Sequence, residues 1–473
     1  MGKPTGFLEY QRQDSECIAP KERIKNFNEF HLPLSEKSQQ MQGARCMACG
    51  VAFCQFGNEI KGMVSGCPLH NLVPEWNDLV YQGNWKSAYD RLVKTNCFPE
   101  FTSRVCPALC EAACTCGLNE EPVSTKENER AIIENAFRTG LVKPISSKVK
   151  TGKKIAIVGS GPAGLACASD LAKMGYGVTI FEALHEPGGV LQYGIPDFRL
   201  PKEDVVCYEI DNVRSLGVEI ETNVVVGRTV TIDSLLGAEG FSAVFVGSGA
   251  GLPKFMDIPG ENLNGVVSAN EFLTRNNLMK AYDPDFDTPI YVGKRVAVVG
   301  GGNVAMDAAR TALRLGAEVT IVYRRTEKEL PARVEEVHHA KEEGIVFRML
   351  TNPVEILSDE KGWVKGLKCI KMELGEPDEG GRRSPVPIPD SHFDIETDVV
   401  VMSLGTSPNP LIASTTDGLE TNKWGCIVAG EDGATSRPGV FAGGDAVTGA
   451  ATVILAMGAG RKAAEAIDKW LNL

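Results

Sequence analysis

Two stretches of the chain repeat one pattern of hydrophobic and polar positions. Residues 153–182 read KKIAIVGSGPAGLACASDLAKMGYGVTIFE, and residues 294–325 read KRVAVVGGGNVAMDAARTALRLGAEVTIVYRR. Each stretch has a short apolar run, a glycine-rich turn, a segment of helical periodicity and a second apolar run. An apolar run bounded by glycines is typical of a strand buried in a parallel sheet. The pattern therefore predicts an α/β fold with two separate βαβ units.

The first 145 residues follow a different pattern. Apolar residues recur at helical spacing in WNDLVYQGNWKSAYDRLVK (76–94) and in NERAIIENAFRTGL (128–141). The polar and basic stretch VKPISSKVKTGKK (142–154) then has the composition of a linker. We therefore predict a helical domain over residues 1–145, ahead of the part that contains the two βαβ units.

Composition and charge narrow the class of protein. The chain has 473 residues and a formal net charge of −12, from 49 Lys and Arg against 61 Asp and Glu. This balance disfavours a nucleic-acid-binding protein, which neutralises phosphates with basic side chains. No window approaches the roughly 18 apolar residues of a membrane span, and the start, MGKPTGFLEYQRQ, lacks the apolar core of a signal peptide. We expect a cytoplasmic protein without nucleic-acid or membrane partners.

The first glycine turn has the spacing of a dinucleotide-binding loop. It reads Gly159, Ser160, Gly161, Pro162, Ala163, Gly164. Gly159 would permit the tight turn, Gly161 would let the backbone approach a pyrophosphate, and Gly164 would let helix and strand pack closely. Glu182 ends the second strand, where a carboxylate can accept a hydrogen bond from a ribose hydroxyl. Strand, turn, helix and acid together predict a nucleotide site rather than a structural turn.

The second glycine turn differs at the position of the acid. It reads Gly300, Gly301, Gly302, Asn303, Val304, Ala305, with alanine as an accepted variant of the third glycine. Its second strand ends in Arg324 and Arg325, where an NAD site would have a carboxylate. Paired guanidiniums would bind a 2′-phosphate, so the residues favour NADP. A solvated basic strand end is the alternative.

Ten of the fourteen cysteines lie in the first 116 residues. They are Cys17, Cys46, Cys49, Cys54, Cys67, Cys97, Cys106, Cys110, Cys114 and Cys116. In a reducing cytoplasm such crowding suggests metal or redox chemistry more than disulfides. Zinc often takes two C-x2-C halves, and only one is present here. Iron–sulfur clusters accept more varied spacing, with proline after some ligands, as in Cys67-Pro68. The residues favour clusters but leave zinc open.

The C-terminal part resembles the flavoprotein reductases that have two dinucleotide-binding domains. The resemblance rests on PGVFAGGDAVTGAATVILAMGAGRKAAEAI (438–467), GVLQYGIPDFRLPK (189–202) and LGTSPN (404–409). It implies FAD at the first loop and NADPH at the second, with an FAD domain over residues 146–255 and 400–473 and an inserted NADPH domain over 256–399. The further FAD-site residues that it implies are Gly189, Leu191, Arg199, Gly444, Asp445, Thr452 and Val453. A flavin that takes a hydride needs an outlet for single electrons, which favours clusters over redox-inert zinc.

Across almost its whole length the chain also resembles the small subunits of NADPH-dependent glutamate synthase. The motifs are MGKPTGFLEY, RCMACGVAFC, GCPLHNLVPEWNDLV and FPEFTSRVCPALCEAAC, together with the two loops. The resemblance implies two [4Fe–4S] clusters in the N-terminal domain. It implies one cluster held by Cys46, Cys49, Cys54 and Cys114, and a second held by Cys67, Cys106, Cys110 and Glu129. Glu129 could instead be a solvated helix residue, and Cys116 could take the place of Cys114 or, like Cys97, be a neutral thiol.

The resemblance implies an electron-input subunit. NADPH would give a hydride to FAD, and the clusters would carry single electrons to the large (α) subunit, which makes glutamate from glutamine and 2-oxoglutarate. No catalytic acid or base is needed, and we expect the His338–His339 pair on a solvated helix. The alternatives are a subunit of an electron-bifurcating NAD(P)H/ferredoxin oxidoreductase and a zinc-stapled scaffold that senses dinucleotides.

Overall fold

The computed structural model describes residues 3–60, 63–143, 149–378 and 383–472. The predicted linker, residues 142–154, lies partly outside these ranges. Within them, no helix has both the length and the apolar character that crossing a lipid bilayer requires.

The N-terminal part is helical, as the apolar spacing predicts. Its helices are α1 Gly6–Glu9, α2 Pro20–Arg23, α3 Glu36–Ala44, α4 Val73–Tyr81, α5 Trp85–Thr95, α6 Pro99–Val105, α7 Leu109–Ala112 and α8 Thr125–Arg138. Two short antiparallel pairs accompany them: β1 Glu16–Cys17 with β2 His31–Leu32, and β3 Asn58–Ile60 with β4 Met63–Ser65. Trp76, Leu92, Phe101 and Ile132 are fully buried between the helices, and their burial stabilises this domain.

The rest of the chain alternates strands and helices. The first half contains β5 Lys154–Val158, α9 Pro162–Met174, β6 Gly177–Phe181, α10 Val190–Tyr193, α11 Tyr208–Ser215, β7 Glu219–Glu221, α12 Ile232–Leu236, β8 Ala243–Val246 and β9 Leu252–Pro253. There follow β10 Val266–Ser268, α13 Ala269–Asn277, β11 Arg295–Val299, α14 Asn303–Arg314, β12 Glu318–Val322, α15 Val334–Glu342 and β13 Val346–Arg348. The chain continues with β14 Thr351–Ser358, β15 Val364–Pro377, β16 Arg383–Glu396, β17 Val399–Met402, β18 Thr406–Ser407, α16 Leu411–Ser414, β19 Val440–Ala442, α17 Asp445–Thr448 and α18 Val453–Leu471.

These strands form two parallel five-stranded sheets. The first has the order β19-β8-β5-β6-β7 and the second the order β10-β17-β11-β12-β13. Because the chain leaves the first sheet after β8 and returns to it at β19, the second domain is inserted into the first, which confirms the predicted fold class. The antiparallel sheet β14-β15-β16 and the ribbon β9–β18 were not apparent from the sequence.

One predicted boundary is wrong. The sequence placed the return to the first domain at residue 400, but Val399–Met402 is β17, the strand next to β11 in the second sheet. The run is apolar because helices and sheet cover both of its faces, so its composition does not show to which of two parallel sheets it belongs. The crossing follows Met402, where Thr406–Ser407 pairs with Leu252–Pro253.

A buried carboxylate joins the N-terminal part to the second domain. Glu343, just after α15, accepts hydrogen bonds from Arg310 and Arg314 of α14 and from Arg23 of α2, with the Arg23 Nε–Glu343 Oε1 distance at 2.7 Å. The side chains of Glu343, Arg310 and Arg314 have no exposed area. Removing one partner would leave buried charges uncompensated, so this cluster fixes how the two parts pack.

We expect Glu343→Gln to destabilise the protein by about 3–5 kcal/mol, because it removes the charge that balances three guanidiniums. Glu342→Gln is the matched control: Glu342 pairs with Arg23 at 3.1 Å, but its side chain is 38% exposed, and the loss should stay below about 1 kcal/mol. The measurement is the urea midpoint of each full-length variant, followed by tryptophan fluorescence. Equal shifts for the two variants would contradict the role given to Glu343.

Candidate functional site

The first glycine turn leaves an open space at the start of α9. Gly159 has a φ of +93°, and a Cβ there would lie 2.7 Å from the Gly247 oxygen. A Cβ on Gly164 would lie 2.0 Å from the Gly159 oxygen, so glycine is needed for the close packing of helix and strand. A Cβ on Gly161 would meet no heavy atom within 4 Å. This cradle, at a helix N-terminus, fits the pyrophosphate of a dinucleotide.

Glu182 lies against the same turn. Its Oε2 accepts hydrogen bonds from the backbone N–H of Ser160, at 2.9 Å, and from the Ser160 hydroxyl. Its Oε1 accepts one from the Leu184 N–H, also at 2.9 Å. Glu182 is buried at the end of β6, where the sequence predicts it. Ser160 was not singled out from the sequence, although it stands between two glycines of the motif.

The turn before α10 packs on the first loop. Gly189 has a φ of +55°, and a Cβ there would lie 2.9 Å from the Gly161 Cα. The next predicted residue, Leu191, is fully buried in α10. Gly189 therefore borders the first loop at Gly161.

The start of α18 meets the same loop from the other side. A Cβ on Gly444, whose φ is +67°, would lie 3.0 Å from the Ala163 Cβ. The hydroxyl of Thr452 caps α18, and Val453 is the first residue of the helix. Burial raises the pKa of Asp445 to about 6. The N-termini of α9 and α18 thus converge on one space, and Pro162, the first residue of α9, fits its position at a helix start.

The second glycine turn has the same architecture. A Cβ on Gly300, whose φ is +143°, would lie 2.2 Å from the Ser403 oxygen, whereas a Cβ on Gly302 would meet nothing within 4 Å. Ala305 is fully buried in α14, where the third glycine of the motif would lie. The space in front of Gly302 therefore fits a second dinucleotide.

Residues around this turn differ in their freedom to bind a ligand. The Asn303 side-chain oxygen accepts a hydrogen bond from the Arg333 N–H at 2.9 Å, while Val304 is 44% exposed. Arg324 is exposed after β12. Arg325 is buried, and its Nε has no hydrogen-bond partner among the described residues. Arg333 was not predicted from the sequence; it is partly buried, and its Nη1 likewise has no partner within the described ranges.

The four thiols predicted to hold the first cluster lie together. Burial raises the pKa of Cys54 to about 12, and negative charge on Cys46, Cys114 or Cys49 would raise it further. Cys46 in turn is influenced by Cys114 and Cys49. Four thiolates so close to one another repel strongly, and a bound metal centre would compensate that charge.

Cys116 and Cys97, whose part in binding the first cluster the sequence left open, differ in their contacts. The Cys116 thiol donates a hydrogen bond to the Arg45 oxygen at 3.8 Å, and its contact with Cys114, together with nearby backbone N–H groups, lowers the pKa of Cys114. Cys97 lies apart from both groups, near Asp170 and Arg461, and burial raises its pKa to about 12. These contacts favour Cys114 as the ligand and Cys97 as a neutral thiol.

The second predicted group surrounds a small cavity between the helices of the N-terminal domain and the start of α18. Cys67, Cys106, Cys110 and Glu129 all line it, so Glu129 does not lie on a solvated helix face. Glu129 accepts hydrogen bonds on Oε1 from Thr102 and from Asn96, the latter at 2.9 Å. Burial raises the pKa of Glu129 to about 7. Three thiols and a buried carboxyl form a donor set that suits an iron–sulfur cluster.

Ile454 also lines this cavity. It is the second residue of α18, next to Val453 and the Thr452 cap. The cavity and the space in front of the first glycine turn therefore share the first turn of one helix. This contact could not be predicted from the sequence, because Ile454 has the pattern of an ordinary apolar helix residue.

Arg199 and His339 both lie at contacts between domains. Arg199 pairs with Asp307 at 2.8 Å and with Glu336 at 3.0 Å, so its guanidinium joins the two dinucleotide domains, and its binding of FAD stays a prediction. His338 is exposed as expected, but the expectation is wrong for His339, which is buried against the N-terminal part. Burial lowers the pKa of His339 to about 4.

Two family models match the chain. Residues 153–461 match the pyridine nucleotide-disulphide oxidoreductases. Residues 23–141 match domain II of dihydropyrimidine dehydrogenase, described as a 4Fe-4S cluster domain. The dinucleotide-binding fold and a 4Fe–4S domain are therefore present, which removes the zinc scaffold as the account of the N-terminal domain.

Individual relatives agree with these models. The glutamate synthase [NADPH] small chain of Bacillus subtilis is 38% identical over all of this chain and 99% of its own. The β subunit of the NADP(+)-dependent formate dehydrogenase of Moorella thermoacetica is 39% identical over 86% of this chain and 59% of its own. The solved structure of Mycobacterium tuberculosis FprA in complex with NADPH shares the fold, with a TM-score of 0.55 and 22% identity over 68% of this chain and 85% of FprA.

We expect Gly161→Ala to weaken FAD binding at least about tenfold, or about 1.4 kcal/mol, because its methyl group would occupy the open space of the first turn. The backbone there, with a φ of −68°, accepts alanine, so the stability of the apoprotein should not change. The measurement is the FAD content and the FAD dissociation constant of the variant.

Two other glycines serve as controls for this test. A Cβ on Gly177, also in the first domain, would make only ordinary contacts at 3.7 Å, so Gly177→Ala should retain FAD. Gly164→Ala should instead destabilise the apoprotein, because its Cβ would lie 2.0 Å from a carbonyl oxygen. If Gly161→Ala and Gly177→Ala bind FAD equally well, the open space is not the phosphate site.

Proposed function

The chain belongs to the family of glutamate synthase small chains, which makes it an NADPH-dependent flavin and iron–sulfur oxidoreductase, and from that premise we propose that it delivers electrons from NADPH to the glutamate synthase large subunit. The observation that carries the proposal is the position of Ile454, which lines the thiol cavity and follows the residues that would face the flavin. When bound, FAD converts hydride transfer from NADPH into single-electron transfer.

The first loop is the proposed FAD site. The N-terminus of α9 and the open space at Gly161 would bind the pyrophosphate, and Glu182 would accept a hydrogen bond from the ribose. Asp445 and the start of α18, with Thr452 and Val453, would orient the rest of the cofactor. The residues that we assign to this site are Gly159, Gly161, Pro162, Ala163, Gly164, Glu182, Gly189, Leu191, Gly444, Asp445, Thr452 and Val453.

The second loop is the proposed NADPH site. The open space at Gly302 and the N-terminus of α14 would bind the pyrophosphate. Arg324 would bind the 2′-phosphate from solvent, and Arg325 would supply a buried charge behind it. The residues that we assign to this site are Gly300, Gly302, Asn303, Val304, Ala305, Arg324 and Arg325.

Two [4Fe–4S] clusters are proposed for the N-terminal domain. Cys46, Cys49, Cys54 and Cys114 would hold the first. Cys67, Cys106 and Cys110 would hold the second, and Glu129 would complete it through Oε2, because its two hydrogen bonds both end on Oε1. Since Ile454, in the first turn of α18, lines this cavity, the second cluster would be the one next to FAD.

A different electron partner is the second candidate. One relative of the chain is the β subunit of an NADP(+)-dependent formate dehydrogenase, which shows that a similar chain can serve another complex. The same arrangement of two loops and two thiol groups would then exchange electrons with a ferredoxin or a different catalytic subunit. The identity of the partner, rather than the internal chemistry, distinguishes the two candidates.

We expect Arg324→Ala to lower kcat/KM for NADPH by about tenfold or more, since a charge-assisted hydrogen bond contributes about 1.5–3 kcal/mol. The value for NADH should change little, because NADH has no 2′-phosphate. Steady-state reduction of ferricyanide measures both. Lys294→Ala is the control, since Lys294 is an exposed cation just before β11, at the N-terminal ends of the parallel strands, whereas Arg324 lies at their C-terminal ends. Equal losses for both nucleotides would contradict phosphate recognition by Arg324.

The isolated chain, loaded with its cofactors, should reduce ferricyanide with NADPH but form no glutamate from glutamine and 2-oxoglutarate. Addition of the cognate large subunit should restore NADPH-dependent glutamate formation. Cys46→Ser should abolish that coupled reaction, while NADPH still reduces the bound FAD, which serves as the internal control. Efficient reduction of ferredoxin, without glutamate formation in the presence of the large subunit, would favour the second candidate.

A further inference from the structure

Three side chains with metal-binding atoms meet where the N-terminal part contacts the second dinucleotide domain. Cys17 lies on β1, His31 on β2 and His339 on α15. The Cys17 Sγ is 3.5 Å from His31 Nδ1 and 3.8 Å from His339 Nε2, and all three atoms lie within 4.8 Å of one another. None of these residues belongs to the loops or thiol groups described above.

The spacing fits a tetrahedral metal ion. Around zinc, with sulfur at about 2.3 Å and nitrogen at about 2.0–2.1 Å, a sulfur and a nitrogen ligand lie about 3.5 Å apart. The two sulfur–nitrogen distances here, 3.5 and 3.8 Å, need almost no adjustment. One thiolate and two imidazoles form a ligand set that zinc accepts, and three protein ligands leave a fourth position for water.

The surroundings keep the three groups in place. The rings of His31 and His339 pack against Phe30, with ring centroids 4.5 and 5.1 Å away. His339 is buried, and among the described residues the Cys17 sulfur is the hydrogen-bond partner of its ring, because its Nδ1 has none. The ring is therefore directed at Cys17 and held there by packing.

Charges of both signs face this cluster. The acidic neighbours are Glu127, Glu335, Glu336 and Glu342, and the basic ones are Arg23, Lys126, Arg130 and Arg310. Glu335 acts on all three groups. A divalent cation bound to one thiolate would add a net charge of one, which this carboxylate can offset.

We propose that Cys17, His31 and His339 form a mononuclear site for a borderline divalent cation of the Zn²⁺ type. Because the first two ligands lie on the β1–β2 pair and the third on α15, the ion would clamp the iron–sulfur domain to the second dinucleotide domain. The site lies apart from the cluster ligands and would serve a structural purpose rather than electron transfer.

The test is zinc K-edge X-ray absorption of the full-length holoprotein, prepared without oxygen, freed of loose metal and given one equivalent of Zn²⁺. The edge is specific to zinc, so bound iron does not interfere. We expect about one zinc per chain with one sulfur at about 2.3 Å and two nitrogens at about 2.0–2.1 Å. A shell of sulfur alone would mean zinc in the cluster cysteines and would overturn the proposal, as would the absence of zinc.

Substitution of the proposed ligands provides an independent test of the zinc site. Loss of even an outer-shell partner costs about 10–100-fold in metal affinity, so Cys17→Ser and His31→Gln should each weaken Zn²⁺ binding by about 100-fold or more. His338→Gln is the matched control on the same helix, since that side chain is 72% exposed, and it should bind zinc as the unmodified chain does. Iron and FAD contents should stay constant in all variants and report intact folding. Unchanged zinc affinity in Cys17→Ser would reject the site.

Discussion

The contact between α9 and α18 is the constraint on which the proposed electron path depends. A Cβ on Gly460 would lie 2.1 Å from the Ala163 oxygen, so the two helices touch at backbone distance. The first turns of both helices also approach each other, since a Cβ on Gly444 would lie 3.0 Å from the Ala163 Cβ and 3.5 Å from the Ala456 Cβ, and helix dipoles favour a phosphate at such a place. The same helix, α18, reaches the N-terminal domain: a Cβ on Gly458 would be in ordinary contact with Leu69 and Pro68. One helix therefore borders both the first nucleotide space and the second thiol cavity.

A second constraint comes from buried charge. Arg23 of the N-terminal domain and Arg199 of the first dinucleotide domain both reach carboxylates of the second domain, Glu343 and Asp307. Arg310, between them, pairs with Glu336 and Glu343 and has no exposed side-chain area. Buried ion pairs add less net stability than apolar packing, but breaking one is expensive, so they favour one arrangement of the three domains over others.

The features that could be predicted from the sequence depend on residues close together in the chain. The glycine turns could be predicted because a tight turn, a close approach and a helix–strand contact each exclude a Cβ at a fixed spacing, as at Gly159 and Gly164. The two thiol groups followed from a family resemblance, and the structure brings their members together. The contacts that could not be predicted involve residues far apart in the chain: Arg23 and Glu343 are 320 residues apart, and His339 on α15 contacts Cys17 of β1. Residues 400–402 of the strand Val399–Met402 were assigned to the wrong domain for the same reason, since its apolar residues suit either sheet.

The proposed electron path requires the second cluster to border the first turn of α18, next to the flavin. An iron anomalous-difference map from crystals of the holoprotein grown without oxygen would locate both clusters. We expect two iron sites, one among Cys46, Cys49, Cys54 and Cys114, and one in the cavity lined by Cys106, Glu129 and Ile454. A single iron site, or a second one distant from Ile454, would contradict the proposed path.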